Sequence, residues 1–578
     1  MSATTWQPRD SASIVLHRAL TPSTRNANGV LRYSGLFDIF PETYWARFTT
    51  LKSVILRCRL RAPAMLRLIR RQADGSGEEI LASQAADSGG EIVLITPLTA
   101  STAADSYLLM EIVPVASQDD PLVSATWETA QPRERIPCVG VAITTFNREP
   151  FLIANLRRLR GRMAGGCIIV VNHGEPELKT RLHDSLPPDL PVRWIDQENS
   201  GGAGGFTRGM TEHHATGNVT HVLLTDDDID LREDLVERAT AILSYTRSNI
   251  CLGGAMFDYY RRSCLFSAGD ILLPGNFGIG HVVAPEGCDI ATTPGVDFLA
   301  RAHSPDFNGW WCFAFPIEAL DRVGLPMPCF IRGDDVEYGY RLKRAGMPTL
   351  GWPGLAVWHM PFADKSVPWH MFYDRRNSLF ANARHRRIGR LAAVNALAGG
   401  FIHHLLRYDY DRVRAMTLGI DAFNMGAEKM ARWNQADHAA LIAATSQMQG
   451  LEANAAAGPT LPRLTPKRLS GVARDLYMTW RIILDLVGIP IGNKTPRHLP
   501  PGEAWRPDFT LRPAVIVEYN REGRAVRTYR RNSAESRRAI ARYIKAVTGM
   551  ILRFHQPVPF AFPKSRCTSH LNADKDDY

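Results

Sequence analysis

Between residues 138 and 245, short apolar runs alternate with stretches of helical composition, and most of the runs end on a polar group able to do chemistry. Runs at 139–144, 167–171, 192–195 and 222–224 read as buried strands. Helices are expected up to about residue 162, after the glycine cluster at 201–205, and from 232 to about 245. Strands alternating with helices at this spacing predict a parallel α/β sheet. Ligands of such sheets sit beyond the carboxyl ends of the strands. Three of those ends carry Thr145, Asn147 and Arg148; Asn172; and Asp226, Asp227 and Asp228.

The flanks read differently. Segments at 53–60, 92–96 and 107–113 are short and apolar and are separated by Gly, Ser, Asp and Pro, which predicts a β-sandwich or barrel over residues 1–134. The polar stretch 131–137, with two prolines, reads as a linker into an α/β domain spanning 135–385. From 386 to 578 the chain is Ala- and Leu-rich and predicts a mainly helical domain, with a loose polar stretch at 452–467 and a frayed end at 572–578. No run reaches the roughly 18 to 20 apolar residues of a membrane span. The nearest, 391–406, contains Asn395, His403 and His404 and reads as a buried or interfacial helix. No basic start followed by an apolar core suggests a secretory signal. Nine scattered cysteines without a CxxC point to free thiols in a reducing cytoplasm. A net charge of +10 serves solubility or attracts nucleotide diphosphates and lipid phosphates; without a nucleic-acid motif it does not imply nucleic acid.

Three adjacent carboxylates at a strand end repel one another, and a cation relieves that best. Asp226 and Asp228 alternate and can face one ion, and hard oxygen ligands suit Mn²⁺ or Mg²⁺ shared with substrate phosphates. The competing reading is a solvated turn capping the next helix. Asp334 and Asp335 also follow an apolar run and open a helix at 336–345. They serve either as its cap or as a base for an acceptor hydroxyl. Trp310 and Trp311, behind Gly309, are either core or a platform for sugar faces. His359 is either a satisfied polar group or a further metal ligand. Arg375 and Arg376 offer donors to a diphosphate or form a solvated basic face. Asn199 begins a glycine-rich turn that can bring N–H groups to an anion, but the Gly-Lys-Ser/Thr ending of a P-loop is absent.

Taken in order, Thr144 to Arg148, Asn199 to Phe206, the Asp226 triplet, Phe307 to Trp311, Asp334 with Asp335, and Trp358 to Met360 resemble the polymerising galactofuranosyltransferases of inverting glycosyltransferase family 2. The likeness is strong over residues 138–383 and extends to Phe37, Trp45 and their neighbours in the N-terminal region. It implies a GT-A catalytic domain and a UDP-sugar donor. Arg148, Asn172, Asn199, Asp227, Arg375 and Arg376 would contact the nucleotide sugar. Asp226, Asp228 and His359 would hold the metal. Asp335 would be the general base, and Asp334, Trp310 and Trp311 would bind the acceptor. Two positions depart from the pattern: Asn172 stands where an aspartate often reads the uracil edge, and Asp374 where the galactan enzymes have a histidine.

The expected chemistry is a single in-line displacement with inversion, onto a glycan or lipid-linked glycan. A rhamnosyl- or other hexosyltransferase would share the same core, and a non-catalytic glycan-binding protein is the third reading. The basic segment 521–553 places Ile540, Tyr543, Ile544, Val547 and Ile551 at helical spacing, with Arg537, Arg538, Arg542 and Lys545 largely elsewhere. That helix either docks on the protein or lies on an anionic inner membrane face; a second copy of the chain is a further partner the sequence allows.

Overall fold

The structure, a computed structural model, describes residues 13–19, 24–25, 29–99, 104–115, 120–163, 165–273, 279–281, 287–360, 367–446, 469–489, 497–499, 513–519 and 525–554. The chain divides into two compact units. One comprises Met1–Leu272, Ile279–Pro326 and Asp334–Asp364, the other Leu273–Gly278, Met327–Gly333 and Lys365–Tyr578.

The first unit opens with two sheets. Ile14–Ala19, Leu122–Thr129, Ser53–Leu60 and Gly90–Pro97 form one, in that order, and Thr24–Arg25, Leu31–Tyr33, Ser106–Pro114, Ala64–Gln72 and Glu78–Ala86 form the other. Alternation along the strands sends Leu56, Cys58 and Leu60 from one sheet and Leu66, Leu68 and Met110 from the other into a common core. Cys58 Sγ lies 3.7 Å from Met110 Sδ. Of the two expected architectures, this is the sandwich. Between its strands the helix Glu42–Phe48 buries Tyr44 and Trp45. Its fully buried Glu42 is paired with Arg70, which donates at 2.7 and 2.9 Å, and with Ser106 Oγ at 2.9 Å, as a buried charge requires.

The same unit contains a nine-stranded sheet. Val192–Asp196, Ile168–Asn172, Val139–Thr145 and His221–Asp226 run parallel, as the alternation predicts. The sheet is not parallel throughout. Phe313–Pro316 pairs antiparallel with His221–Asp226 and leads to Cys251–Asp258, Thr349–His359 and Ile229–Leu231. Strands of three or four fully or nearly buried residues have too little pattern to be read as strands, which is why the mixed character was missed.

The glycines at 201–205 do not precede their helix; they are its first turns, Gly201–Thr216. A Cβ on Gly205 would come 2.3 Å from Thr144 Cγ2, and one on Gly209 would come 2.8 Å from Ala142 Cβ. The glycines therefore let the helix lie close against the Val139–Thr145 strand.

The second unit is mainly helical, as composition suggests. Its helices include His370–His385, Arg390–Leu406, Tyr410–Asn424, Gln435–Ala444, Gly471–Val487 and Ser533–Arg553. It also holds a three-stranded sheet of Arg497–Leu499, Val515–Tyr519 and Ala525–Arg530, which composition did not reveal. Arg390–Leu406 buries Ala393, Leu397, Phe401 and Leu405 and exposes Leu391. No described helix is long and apolar enough to cross a membrane. The eight described cysteines are free. The polar stretches at 452–467 and 572–578 lie outside the described residues.

Candidate active site

The strand His221–Asp226 is buried to its last residue, and the chain then reverses into the short strand Ile229–Leu231. That strand pairs antiparallel with the end of Thr349–His359, with Ile229 opposite His359. This register, not a helix cap, fixes the acidic triplet. The following helix, Leu235–Leu243, begins after Asp234 instead. Asp228 Oδ1 lies 3.2 Å from His359 Nε2, and Asp228 Oδ2 lies 3.9 Å from Arg148 Nε. One donor atom each from Asp226, Asp228 and His359 lie within 4.8 Å of one another. Two carboxylates and an imidazole at that spacing fit Mn²⁺ or Mg²⁺, with coordination positions left for phosphate oxygens.

Asp227 turns elsewhere: its Oδ2 accepts from the Phe146 N–H at 3.1 Å. Burial, and after it the charge of Asp228, push its carboxyl up to about 7. Arg148 stands at the head of the helix Glu149–Leu159, with about half of its side chain exposed. On that helix Asn155, which sequence reading missed, braces the whole turn. Its amide donates to the carbonyls of Asp227 at 3.3 Å and Ile229 at 2.9 Å, and its Oδ1 accepts from the Leu231 N–H at 3.1 Å. The available signal was a lone asparagine among Leu152, Leu156 and Leu159 on a buried helical stripe, since a buried amide must find partners.

Asn199 Oδ1 accepts from the Gly201 N–H at 2.8 Å and so turns the chain into its helix. Asn172 is buried at the end of its strand. Its amide donates to Asp196 Oδ1 at 2.6 Å and to the Glu175 carbonyl at 2.7 Å, and its Oδ1 accepts from the Gly174 N–H at 2.9 Å. Asn172 thereby holds the exposed Asp196 carboxylate at the neighbouring strand end.

Asp334 and Asp335 open the helix Asp334–Arg344. Phe330, Arg332 and Gly333, just before it, all have positive φ (67°, 66° and 86°), and such strain in residues other than glycine gathers at functional sites. Asp334 is buried, and burial, then the charge of Asp335, raise its carboxyl well above the usual range. Asp335 is less buried, and its Oδ1 accepts from the Val336 N–H at 2.8 Å.

Trp310 and Trp311 are 4% and 7% exposed, so neither ring forms an open platform. Trp310 packs edge-on against Phe206 and Tyr338, and among the described residues its indole N–H has no partner. Trp311 donates to the Gly254 carbonyl at 3.1 Å, while its own carbonyl accepts from Thr225 Oγ1 at 3.0 Å. The wide ring requires a glycine at 309, where a Cβ would come 2.1 Å from it.

Arg375 and Arg376 belong to the second unit and pack within it. Arg376 is fully buried, donates to the Cys329 carbonyl at 2.6 Å and lies 5.0 Å from the ring centres of Phe372, Tyr373 and Trp433. Arg375 lies against the helix carrying Gly400, where a Cβ would meet its Nη2 at 2.8 Å. Neither is part of a solvated basic face. Arg332 pairs with Asp374 at 2.6 Å in the same unit.

Residues 137–378 match a family described as glycosyltransferase like family 2, and residues 13–128 match one described as galactofuranosyltransferase 2 N-terminal. Two curated relatives are named Galactofuranosyltransferase GlfT2, from Mycobacterium tuberculosis and Mycolicibacterium smegmatis. Each is 28% identical, over 466 and 418 residues. The matches cover 73% and 69% of this chain, and 71% and 64% of the relatives. Among solved structures, a mannosyltransferase from Pyrobaculum calidifontis, PcManGT in complex with GDP-Man and Mn²⁺, gives a TM-score of 0.31 at 14% identity, covering 54% of this chain and 82% of that one. That likeness is too slight to carry an argument.

Proposed function

We propose that this chain, a glycosyltransferase with a family 2 central domain, moves galactofuranose from UDP-galactofuranose onto a glycan or lipid-linked glycan, by one in-line displacement with inversion on a GT-A scaffold. The observation that carries the reading is the convergence of Asp226, Asp228 and His359 at the strand ends. These three would hold Mn²⁺ or Mg²⁺, which when bound neutralises the departing diphosphate. Arg148, beside Asp228, adds a guanidinium for the phosphates. Asn199 and Asp227 shape the loops that receive the nucleotide, and Asn172 supports the base site through Asp196. Asp335 takes the proton of the acceptor hydroxyl as the oxygen attacks the anomeric carbon. The buried Asp334, which holds its proton more readily, hydrogen-bonds the acceptor. Trp310, packed on Phe206 and Tyr338, supports the acceptor site from behind, and Trp311 anchors the strand that carries the site. Arg376 holds the Cys329 carbonyl within the second unit, and no diphosphate role is assigned to Arg375 or Arg376.

The test is a donor screen with linkage analysis of the product. UDP-galactofuranose should be turned over and dTDP-rhamnose should not. The reverse would replace the donor while keeping the core.

Attachment to an anionic membrane face at the inner surface of the cell is the second part of the proposal. Its support is the helix Gly471–Val487, which exposes Val472, Leu476, Trp480, Ile483 and Val487 along one stripe while burying Arg481 and Asp485. The helix Ser533–Arg553, expected either to dock on the protein or to lie on the membrane, buries Tyr543 and Val547 against its own unit. It leaves Arg537, Arg538, Arg542 and Lys545 exposed, and Arg537 donates to the Leu486 carbonyl at 3.1 Å. An exposed apolar stripe beside exposed cations fits an anionic bilayer.

A further inference from the structure

Behind the strand pair that carries the metal cluster lies a cavity of about 630 Å³. Ile229 faces His359 in the register and Asp230 faces Trp358, so consecutive residues point to opposite sides of the pair. Asp230 and Trp358 line the cavity, and Asp226, Asp228 and His359 are not among its lining residues. Further wall comes from the strand Ile14–Ala19 of the sandwich, from the helix Leu235–Leu243 and the turn before it, and from Arg133, Arg158, Arg162 and Arg262.

The wall is unusually basic. Seven guanidinium groups face four carboxylates, a surplus of three positive charges. Most of the cations are already engaged. Asp230 pairs with Arg158 and, at 2.6 Å, with Arg262, which also stacks on Trp358 at 4.3 Å. Asp234 pairs with Arg232 at 2.5 Å and with Arg238 at 2.6 Å. Arg238 also donates to the Phe37 and Arg18 carbonyls, at 2.8 and 3.3 Å, and so ties the sandwich to the helix. Arg162 pairs with Glu237 at 2.9 Å. The carboxylates thus fix a rigid arginine frame. Arg18 and Arg133 stand outside it: both are exposed, and among the described residues neither has a carboxylate partner. His17, buried beside Arg238, is kept neutral by burial and by that charge, and offsets nothing.

We propose that this cavity is a second anion site, distinct from the metal cluster, that takes a phosphate- or diphosphate-bearing ligand. Its volume lies in the range of small-molecule sites. A surplus of three charges matches a multiply charged anion better than a single carboxylate. Arginine forks pair with phosphate oxygens two at a time. Arg18 from the sandwich and Arg133 from the segment leading out of it would close on the ligand over the fixed frame.

The probe is inorganic pyrophosphate, measured by calorimetry on the full chain in excess chelator, so that no metal bridges it to the catalytic carboxylates. Saturable binding is expected, weakening as salt rises. R18Q/R133Q, at two exposed positions, should weaken it at least about tenfold, since each substitution removes a charge-assisted hydrogen bond to the anion. D226N/D228N should keep it. Equal affinity in R18Q/R133Q and the parent chain, or loss of binding in D226N/D228N alone, would overturn the proposal. Competition by vesicles containing phosphatidylglycerol would identify a lipid phosphate as the source of the anion. Binding untouched by vesicles would identify a free phosphate compound.

Discussion

The two acidic motifs of the first unit start from the same sequence signal and solve their electrostatics in opposite ways. Both place neighbouring aspartates within a few residues of the end of an apolar run. At residues 226–228 the strand register brings an imidazole to 3.2 Å and a guanidinium to 3.9 Å, and the carboxylates spread around a point where a cation fits. At residues 334–335 one carboxyl is buried and drawn toward its protonated form, while the other keeps contact with a helix N–H. Crowding is relieved around Asp226 and Asp228 by a nearby guanidinium and a place where a cation fits, while Asp227 and the buried Asp334 are each drawn toward the protonated form. That difference is also a division of labour, since a metal site needs ionised ligands, and an acid–base pair needs two groups whose proton affinities are pushed apart.

Removing charge from each motif should separate these roles. D335N is expected to lower kcat by about 10² to 10⁴-fold while leaving Mn²⁺-dependent UDP binding unchanged. D228N should lose both. Single-turnover rates and calorimetry on the two variants check this, and a D335N protein with near-parental rates would reduce Asp335 to a helix cap. A smaller effect should come from Asn155, which touches neither substrate nor ion but braces the 226–228 turn. N155L leaves two carbonyls and one N–H to find new partners, at a cost of about 1–3 kcal/mol for each group left unpaired in the interior. Misplaced ligands should also raise the Mn²⁺ concentration for half-activation about 10 to 100-fold. Unchanged Mn²⁺ activation with a lowered Tm would mean that Asn155 serves stability alone. The smallest effect concerns the second unit. Replacing Leu476 and Trp480 with serine should reduce co-sedimentation with anionic vesicles and leave turnover of a soluble acceptor intact. Equal recovery with neutral and anionic vesicles would remove the membrane from the account.

The sequence made the strand ends legible because an apolar run stopped by carboxylates is a strong local pattern. It left the coordination geometry open, since His359 lies 131 residues from Asp228 and meets it only through the three-residue strand Ile229–Leu231. Asn155 was hidden for a similar reason: its role lies in backbone groups on another element. The glycines at 201–205 were recognised as special but read as a loop, whereas close packing against Thr144 is what requires them. The pair Arg375 and Arg376 misled by composition, because adjacent arginines look solvated and these two are packed among aromatic and glycine positions. On the helix Ser533–Arg553, periodicity marked an apolar stripe but could not tell that Tyr543 and Val547 are buried while Ile544 is exposed, and the exposed stripe of Gly471–Val487 was not read.

The most direct test of the central claim is the rate of UDP release from UDP-galactofuranose in the presence of acceptor, before chelation, in excess chelator, and after Mn²⁺ is restored. The account expects turnover, its loss in chelator and its return with Mn²⁺, because Asp226, Asp228 and His359 form a site that suits a divalent ion holding the diphosphate. Full turnover in excess chelator would contradict it.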